Sequence, residues 1–328
     1  MELRHLRYFL AVADEANFTR AAARLGIGQP PLSQQIKQLE TLIGARLFHR
    51  GAQGVSLTDV GLAFAPEARA TLAAASRAMQ AAQRAAHGEI GRLSVGFTSS
   101  ASFNPILPDA IRRFRRAYPE VALSLVEANT QQLLDDIQAS RLDAVFIRPS
   151  DAAIEGLMLH RFADEPMKIV VPSDHRLAQE TGLPLAALAG EPFVIFPRIN
   201  GISLFEEVYN ACLNAGFTPL LAQEAPQISS VVNLVAAGLG VSIVPAAIAT
   251  VRVDGVRYLD IVGPAPKARL ALAVRRPLDA KSGDVTPLTC ATCVNAWKSL
   301  TPMLRNFLAL LPPAHASSNA GITGETPV

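Results

Sequence analysis

The chain has 328 residues, half of them hydrophobic, and a formal net charge of +2. That length exceeds one average domain and points to two units with a connector, each with enough apolar material for a core. So mild a charge does not by itself mark a nucleic-acid binder, although a small DNA-binding module can be diluted by a neutral partner domain. With only 3 cysteines a disulfide framework is excluded. The Met1 end has no apolar core behind a basic region, so we expect no signal peptide and a cytoplasmic protein.

The first elements are three helical runs. Leu3–Glu15 places Leu6, Phe9, Leu10 and Ala13 on one face, and Thr19–Leu25 buries Ala21, Ala22 and Leu25. Gly26 follows where a left-handed cap costs glycine least, and Pro30 and Pro31 suit the first turn of the next helix. In that third helix Leu32, Ile36, Leu39 and Ile43 form the inward stripe, leaving Ser33, Gln34, Lys37 and Gln38 outward. Glutamine can pair with an adenine edge and lysine suits a phosphate. A plain three-helix bundle with a polar face would share the apolar periods. The amide-rich outer face and the glycine–turn–proline punctuation instead favour a helix-turn-helix. Arg46–His49 and Val55–Leu57 then read as two strands around the turn Gly51–Gly54, a wing, with Thr58 and Asp59 capping the next helix.

From Thr58 to about His87 the chain is alanine-rich and strongly helical in propensity. Leu62, Ala65, Leu72, Met79 and Ala86 follow a 3-4 spacing, interrupted by Arg69, Ser76 and Gln83, and Pro66 is expected to bend the helix. We expect this helix to pair with its copy in a second subunit, setting two winged modules a fixed distance apart; the alternative is packing on its own C-terminal domain. Gly88 and Gly91 mark a hinge.

Beyond Arg92, strand and helix patterns alternate: Leu93–Phe97, Pro105–Tyr118, Val121–Glu127, Gln131–Ser140 and Ala144–Ile147. This is an α/β plan with a largely parallel sheet. Arg112, Arg113, Arg115 and Arg116 fall on the outer side of their helix, a solvated face in preference to a second DNA patch. A second α/β unit begins near Pro166, with strands Lys168–Val171, Phe193–Phe196 and Val241–Val244, the last read as a buried parallel strand. Val231–Val251 is long enough to span a membrane, but Gly238, Gly240 and Pro245 break it into helix, turn and strand, so no membrane partner is expected. The chain returns to the first unit through Leu270–Val274, so crossings near Asp164–Pro166 and Pro264–Lys267 would join two subdomains with a cleft between them.

Polar groups gather at strand ends facing that cleft. Thr98, Ser99 and Ser100 follow the first strand, Thr130 the second, Arg148 the third, and Arg198 the strand Phe193–Phe196. Hydroxyls and free helix N–H groups beside arginine suit a carboxylate. Singly each would pass as an N-cap or a surface ion pair; their convergence favours a pocket. No nucleophile elbow, metal cluster, phosphate loop or dinucleotide fingerprint is present, so we expect no enzyme, no cofactor and no metal. Cys290 and Cys293 form one CxxC, which cannot close a four-ligand zinc site alone; we read them as residues one helical turn apart, with a redox sensor as the alternative.

The run MELRHLRYFLAVADEANFTRAAARLGIGQPPLSQQIKQLETLIGARLFHR, with VSLTDVG after it, closely resembles the N-terminal winged helix-turn-helix of LysR-type transcriptional regulators. GFTSSASFNPILPDAIRRFRRAYPEV, LDAVFIRP and LVAAGLGVSIVPA resemble the effector-binding domain of the same regulators, which is similar to periplasmic solute-binding proteins. The closest appearance is to the subgroup controlling aromatic and related carboxylate metabolism. The resemblance implies a DNA face of Gln29, Pro30, Pro31, Ser33 and Gln34, with Arg50 in the wing near the phosphates; Thr19 and Lys37 complete the candidate DNA-binding set. Ala52 and Gln53 stand where many members carry arginine, which implies a weak grip on the minor groove. It also implies an effector held by Ser99 or Ser100, Thr130, Arg148 and the segment Arg198–Leu204, including Ile202, Ser203 and Leu204; Thr98 and Ile228 complete the candidate set.

The expected fold is thus α/β: a winged helix-turn-helix (1–58), a linker helix (59–88) and a two-subdomain effector domain (92–300). Subdomain I would comprise 92–164 and 267–300, subdomain II 165–266, and the tail 314–328 would be disordered. Expected partners are double-stranded promoter DNA, a small organic acid as effector, RNA polymerase, and the chain itself as a dimer of dimers.

Overall fold

A computed structural model describes residues 1–51, 54–150, 154–198, 202–276 and 299–313. Ala52 and Gln53 of the wing turn, Cys290 and Cys293, and the tail 314–328 lie outside the described residues. The chain divides into two compact units, Met1–Ala86 and His87–Val328.

In the first unit the helices are α1 (Leu3–Glu15), α2 (Phe18–Leu25) and α3 (Gln29–Ile43). Each boundary has a local cause. The Glu2 N–H donates to His5 Nδ1 at 3.0 Å ahead of α1. The Asn17 side chain accepts the Thr19 and Arg20 N–H groups, at 2.8 and 3.0 Å, at the start of α2. Gly26, at φ 66, closes α2 by donating to the Ala22 and Ala23 carbonyls. Leu6, Phe9, Leu32, Ile36 and Leu39 are buried, as the periodicity predicts, around a ring cluster in which Phe9 lies 5.2 Å from Phe48 and 5.1 Å from Phe64. Full burial of each such side chain stabilises by roughly 1.5–3 kcal/mol. The wing strands are β1 (Phe48–Gly51) and β2 (Gly54–Leu57), paired antiparallel with Phe48 opposite Leu57.

The linker is one continuous helix, α4 (Asp59–Ala86), with Pro66 inside it. Its 28 residues reach about 42 Å at 1.5 Å per residue. The expected apolar stripe splits in two. Ala65 and Leu72 pack on the core of their own unit, because the first turns of α4 lie against α1. Leu62 and Met79 are exposed.

Among the described residues, the second unit contains two five-stranded sheets and a separate two-stranded one. The first has strand order β4 (Val121–Glu127), β3 (Gly91–Phe97), β5 (Ala144–Ile147), β14 (Ala271–Arg275), β6 (Leu157–Arg161). Its β3 is parallel to β4 and β5, whereas β14 runs antiparallel to β5 and β6. Helices α5 (Ser99–Ser102), α6 (Ile106–Ala117) and α7 (Thr130–Gln138) follow its parallel strands. All four arginines of α6 are exposed, and Arg112 and Arg113 pair with Asp109.

The second sheet is ordered β11 (Ser242–Pro245), β7 (Glu165–Pro172), β12 (Val256–Ile261), β8 (Gly182–Leu183). Strands β9 (Pro192–Ile195) and β10 (Leu220–Glu224) form a parallel pair, with α8 (Ile202–Asn214) and α9 (Ile228–Ala236) beside them. Here the expectation of a parallel Val241–Val244 strand fails: β11 runs antiparallel to β7, and only a single bridge from Val241 to Phe193 is parallel. Burial on both faces explains the apolar run equally well in either direction, so composition could not report it. Val231–Val251 is the expected helix end, turn and strand, and among the described residues no helix is long and apolar enough to cross a membrane. The chain passes between the sheets in β7 and β13 (Lys267–Ala268), which lie side by side with Lys267 opposite Pro166 and Ala268 opposite Glu165.

Candidate functional site

On the first unit, α3 presents an exposed stripe. Gln29, Pro30, Pro31, Gln34, Lys37 and Gln38 are exposed and Ser33 is half-buried, with Thr19 of α2 also exposed. The side chains of this stripe are not equally free. Gln38 accepts from Gln35 Nε2 at 2.9 Å, and Thr41 Oγ1 turns back to the Lys37 carbonyl at 2.9 Å. Arg50 does not reach out from the wing: its guanidinium lies 4.8 Å above the Phe18 ring and 3.7 Å from Glu40. Glu40 in turn accepts the Leu47 N–H at 2.9 Å, so Arg50 is drawn to the base of its own wing. Arg20 and Arg24 pair with Glu15, and Arg69 with Asp14. Among the described residues of the unit, Arg7, Lys37, Arg46 and Arg77 have no ion pair, which leaves Lys37 as the unpaired cation on the α3 stripe.

The second unit holds a cavity of about 450 Å³, within the range of small-molecule sites. Because β3, β4 and β5 are parallel, and β9 and β10 are parallel, the segments after these strands meet at one place. Thr98, Ser99 and Ser100 follow β3, Ala128, Asn129 and Thr130 follow β4, and Arg148 follows β5. Phe196 follows β9, and Pro226, Gln227 and Ile228 follow β10, with Leu204 of α8 and Glu127 of β4 completing the lining. The first residues of α5, α7 and α9 all line the cavity, so their unsatisfied first-turn N–H groups border it. Asn129 spends its side chain on capping α7, accepting the Gln132 N–H at 2.9 Å.

Arg148 lines this space but is no free cation. It is 5% exposed, and its Nη2 lies 2.9 Å from Glu165 Oε2. Its Nε donates to Ser100 Oγ at 3.0 Å, Nη2 to the Ser100 carbonyl at 3.0 Å, and Nη1 to the Arg269 carbonyl at 3.3 Å. Burial draws its pKa down while the Glu165 carboxylate pushes it back up. Glu165, itself 8% exposed, also accepts Asn104 Nδ2 at 3.1 Å and the Ala247 N–H at 2.8 Å. One carboxylate on β7 therefore ties Arg148 and Asn104, beside the first sheet, to Ala247 at the end of β11.

The other expected residues divide. Leu204 and Ile228 line the cavity. Arg198 does not: it is exposed and pairs with Glu206 at 2.6 Å, because a flexible cation at the surface finds the nearest carboxylate on α8. Ser203 is buried and donates to the Pro149 carbonyl at 2.9 Å, outside the lining. The Ile202 side chain lies outside the described residues, as do residues 199–201. The lining residues that sequence reasoning missed are Glu127, Ala128, Asn129, Phe196, Pro226 and Gln227. Asn129 and Gln227 directly adjoin Thr130 and Ile228, which it found. Pro226 and Gln227 follow β10, a strand exposed along its whole length and so without an apolar alternation to read.

Comparison with known proteins bears on both units. The model of the bacterial regulatory helix-turn-helix of the lysR family matches residues 3–62, and that of the LysR substrate binding domain matches residues 86–281. The chain belongs to the LysR family. This LysR-type regulator is 42% identical over 261 residues to the uncharacterized HTH-type transcriptional regulator YnfL of Escherichia coli K12, covering 80% of the chain and 88% of that protein. It is 40% identical over 276 residues to the HTH-type transcriptional regulator BudR of Raoultella terrigena, covering 84% and 95%. Its structure is similar to the crystal structure of CbnR, a LysR family transcriptional regulator, with a TM-score of 0.78, 28% identity, and coverage of 94% and 99%. The similarity extends to full-length CbnR complexed with its target DNA, at a TM-score of 0.75, 28% identity, and coverage of 95% and 98%. The protein is a DNA-binding transcriptional regulator with an effector-binding domain, not an enzyme.

Proposed function

We propose that this regulator binds promoter DNA through the α3 stripe and changes that binding when a small organic acid occupies the 450 Å³ cavity. The observation that carries the reading is the meeting of three helix N-termini and the hydroxyls of Thr98, Ser99, Ser100 and Thr130 at one cavity whose arginine is already matched by Glu165. An acid bound there relies on N–H groups, helix dipoles and hydroxyls more than on a salt bridge. Glu127, on the cavity wall, favours an acid that meets it with a hydrogen-bond donor.

The link from cavity to DNA in this proposal is the Ser100–Arg148–Glu165 chain of bonds. An acid that accepts the Ser100 O–H shares a hydroxyl whose oxygen already accepts from Arg148 Nε, and Arg148 is tied to Glu165 on β7. Occupancy would thereby bias how residues 92–164 and 267–300 close on residues 165–266. Exposed Leu62 and Met79 on α4 support pairing of two chains along that helix, and two such pairs would form the dimer of dimers. In this reading, Gln29, Pro30, Pro31, Ser33, Gln34 and Thr19 lie at the groove, Lys37 meets a phosphate, and Arg50 stabilises the wing. The regulator would act in the cytoplasm, where promoter and RNA polymerase are both at hand.

Thermal-shift screening of the full-length chain against small carboxylates tests the site. The expected result is stabilisation by a subset of acids, lost in Thr130→Val. Stabilisation that survives this substitution together with Ser99→Ala would overturn it.

A further inference from the structure

A second cavity of about 400 Å³ lies beside α8. One wall is a face of α8 carrying Glu207, Asn210 and Asn214, spaced by three and four residues and so aligned along the helix. The opposite wall is apolar: Leu185, Val262 and residues 264–266, the last leading directly into β13. Glu207 is the only charged residue of the lining. Its Oε1 is held by Arg269 Nη2 at 3.0 Å, and Arg269 does not itself line the space. Among the described residues neither Asn210 nor Asn214 has a side-chain hydrogen-bond partner.

We propose that this cavity is a second small-molecule site, which takes a compact apolar molecule bearing a protonated amine. An ammonium offers three donors and no acceptor. The wall offers a fixed carboxylate and two amide oxygens along one helix face, and the facing surface receives an apolar body. A carboxylate ligand would meet Glu207, and Arg269, which answers that charge, does not line the space. The size suits a ring of one or two cycles. The site is separate from the acid cavity, sharing no lining residue with it. A molecule seated in it touches the chain just before one of the two segments that pass between the sheets.

The test is calorimetric titration of the full-length chain with tryptamine, with indole-3-ethanol and indole-3-acetate as neutral and anionic versions of the same ring. For a ligand of this size the expected dissociation constant is on the order of 1 mM. Ala265→Trp, an exposed wall residue, fills the cavity and is expected to weaken tryptamine at least about tenfold. Glu207→Gln is expected to weaken tryptamine about fivefold and leave indole-3-ethanol unchanged. Asn210→Ala, also at an exposed position, serves if either variant fails to fold. Tryptamine binding that is absent, or unmoved by these substitutions, overturns the proposal. So does indole-3-acetate binding that Ala265→Trp abolishes.

Discussion

Replacing Glu165 by alanine leaves the Arg148 guanidinium 5% exposed with no counter-charge, and also strips an acceptor from Asn104 Nδ2 and the Ala247 N–H. Breaking a buried pair by removing one partner costs about 3–5 kcal/mol. For a unit of this size each kcal/mol lowers the melting temperature by roughly 2–4 °C, so the expected fall is roughly 6–20 °C. Arg148→Met removes the other charge. The double variant is expected to recover part of the loss, because no uncompensated charge remains. Thermal unfolding of the four full-length proteins, followed by circular dichroism at the transition of the second unit, gives the double-mutant cycle. A fall of less than about 2 °C in Glu165→Ala, or strict additivity in the double variant, would refute the account of this pair as the tie between the sheets.

Further predictions concern other parts of the chain. His160 is buried, donates from Nε2 to the Pro312 carbonyl at 2.8 Å if neutral, and has no partner for Nδ1. Burial lowers its pKa below the ordinary 6.5, against a smaller opposing effect of the Pro312 bond. The unfolded chain therefore takes up the proton first, so stability is full above about 6.5 and falls as the pH drops toward the folded value. Melting temperatures at pH 7.5 and 5.5 should differ less in His160→Gln than in the parent protein. On DNA, Gln34→Ala should cost roughly 1–3 kcal/mol on the preferred site and relax its sequence preference. Lys37→Ala should weaken all sequences alike and reduce the salt slope by about 1; competition binding at several salt concentrations separates the two. Met79→Lys should shift the chain toward smaller assemblies in sedimentation velocity, since Met79 is 63% exposed and needs a partner only in an oligomer.

Local chemistry made the first unit readable. Helix α1 spans the same residues that its apolar spacing predicts, because the capping at Glu2 and the turn at Ala16 are encoded beside it. Strand β1 begins two residues later than expected, because its register is set by pairing of Phe48 with Leu57, a partner the period of one strand cannot name. The direction of β11 was illegible for a related reason. At Gly240, φ 149, a side chain would bring Cβ within 2.2 Å of the Pro192 carbonyl. That close approach lets Val241 bond to Pro192 while β11 turns to meet β7 antiparallel, and no residue in the apolar run announces it.

At the cavity, the hydroxyls were legible because serine and threonine after a strand have a distinct local signature. The arginines were not, because what decides their chemistry is a distant partner. Arg148 finds Glu165 across 17 residues and Arg198 finds Glu206 on the next helix. A cation at a strand end says nothing of whether its charge is already answered.

The most direct measurement is a DNase footprint of the full-length regulator on its promoter, with and without an acid that stabilises it. We predict that the acid changes the length or spacing of the protected region, and that Thr130→Val protects as the parent does without acid but no longer responds. A footprint that no stabilising acid alters, or one that responds equally in Thr130→Val, would contradict an effector-controlled DNA reader built on this cavity.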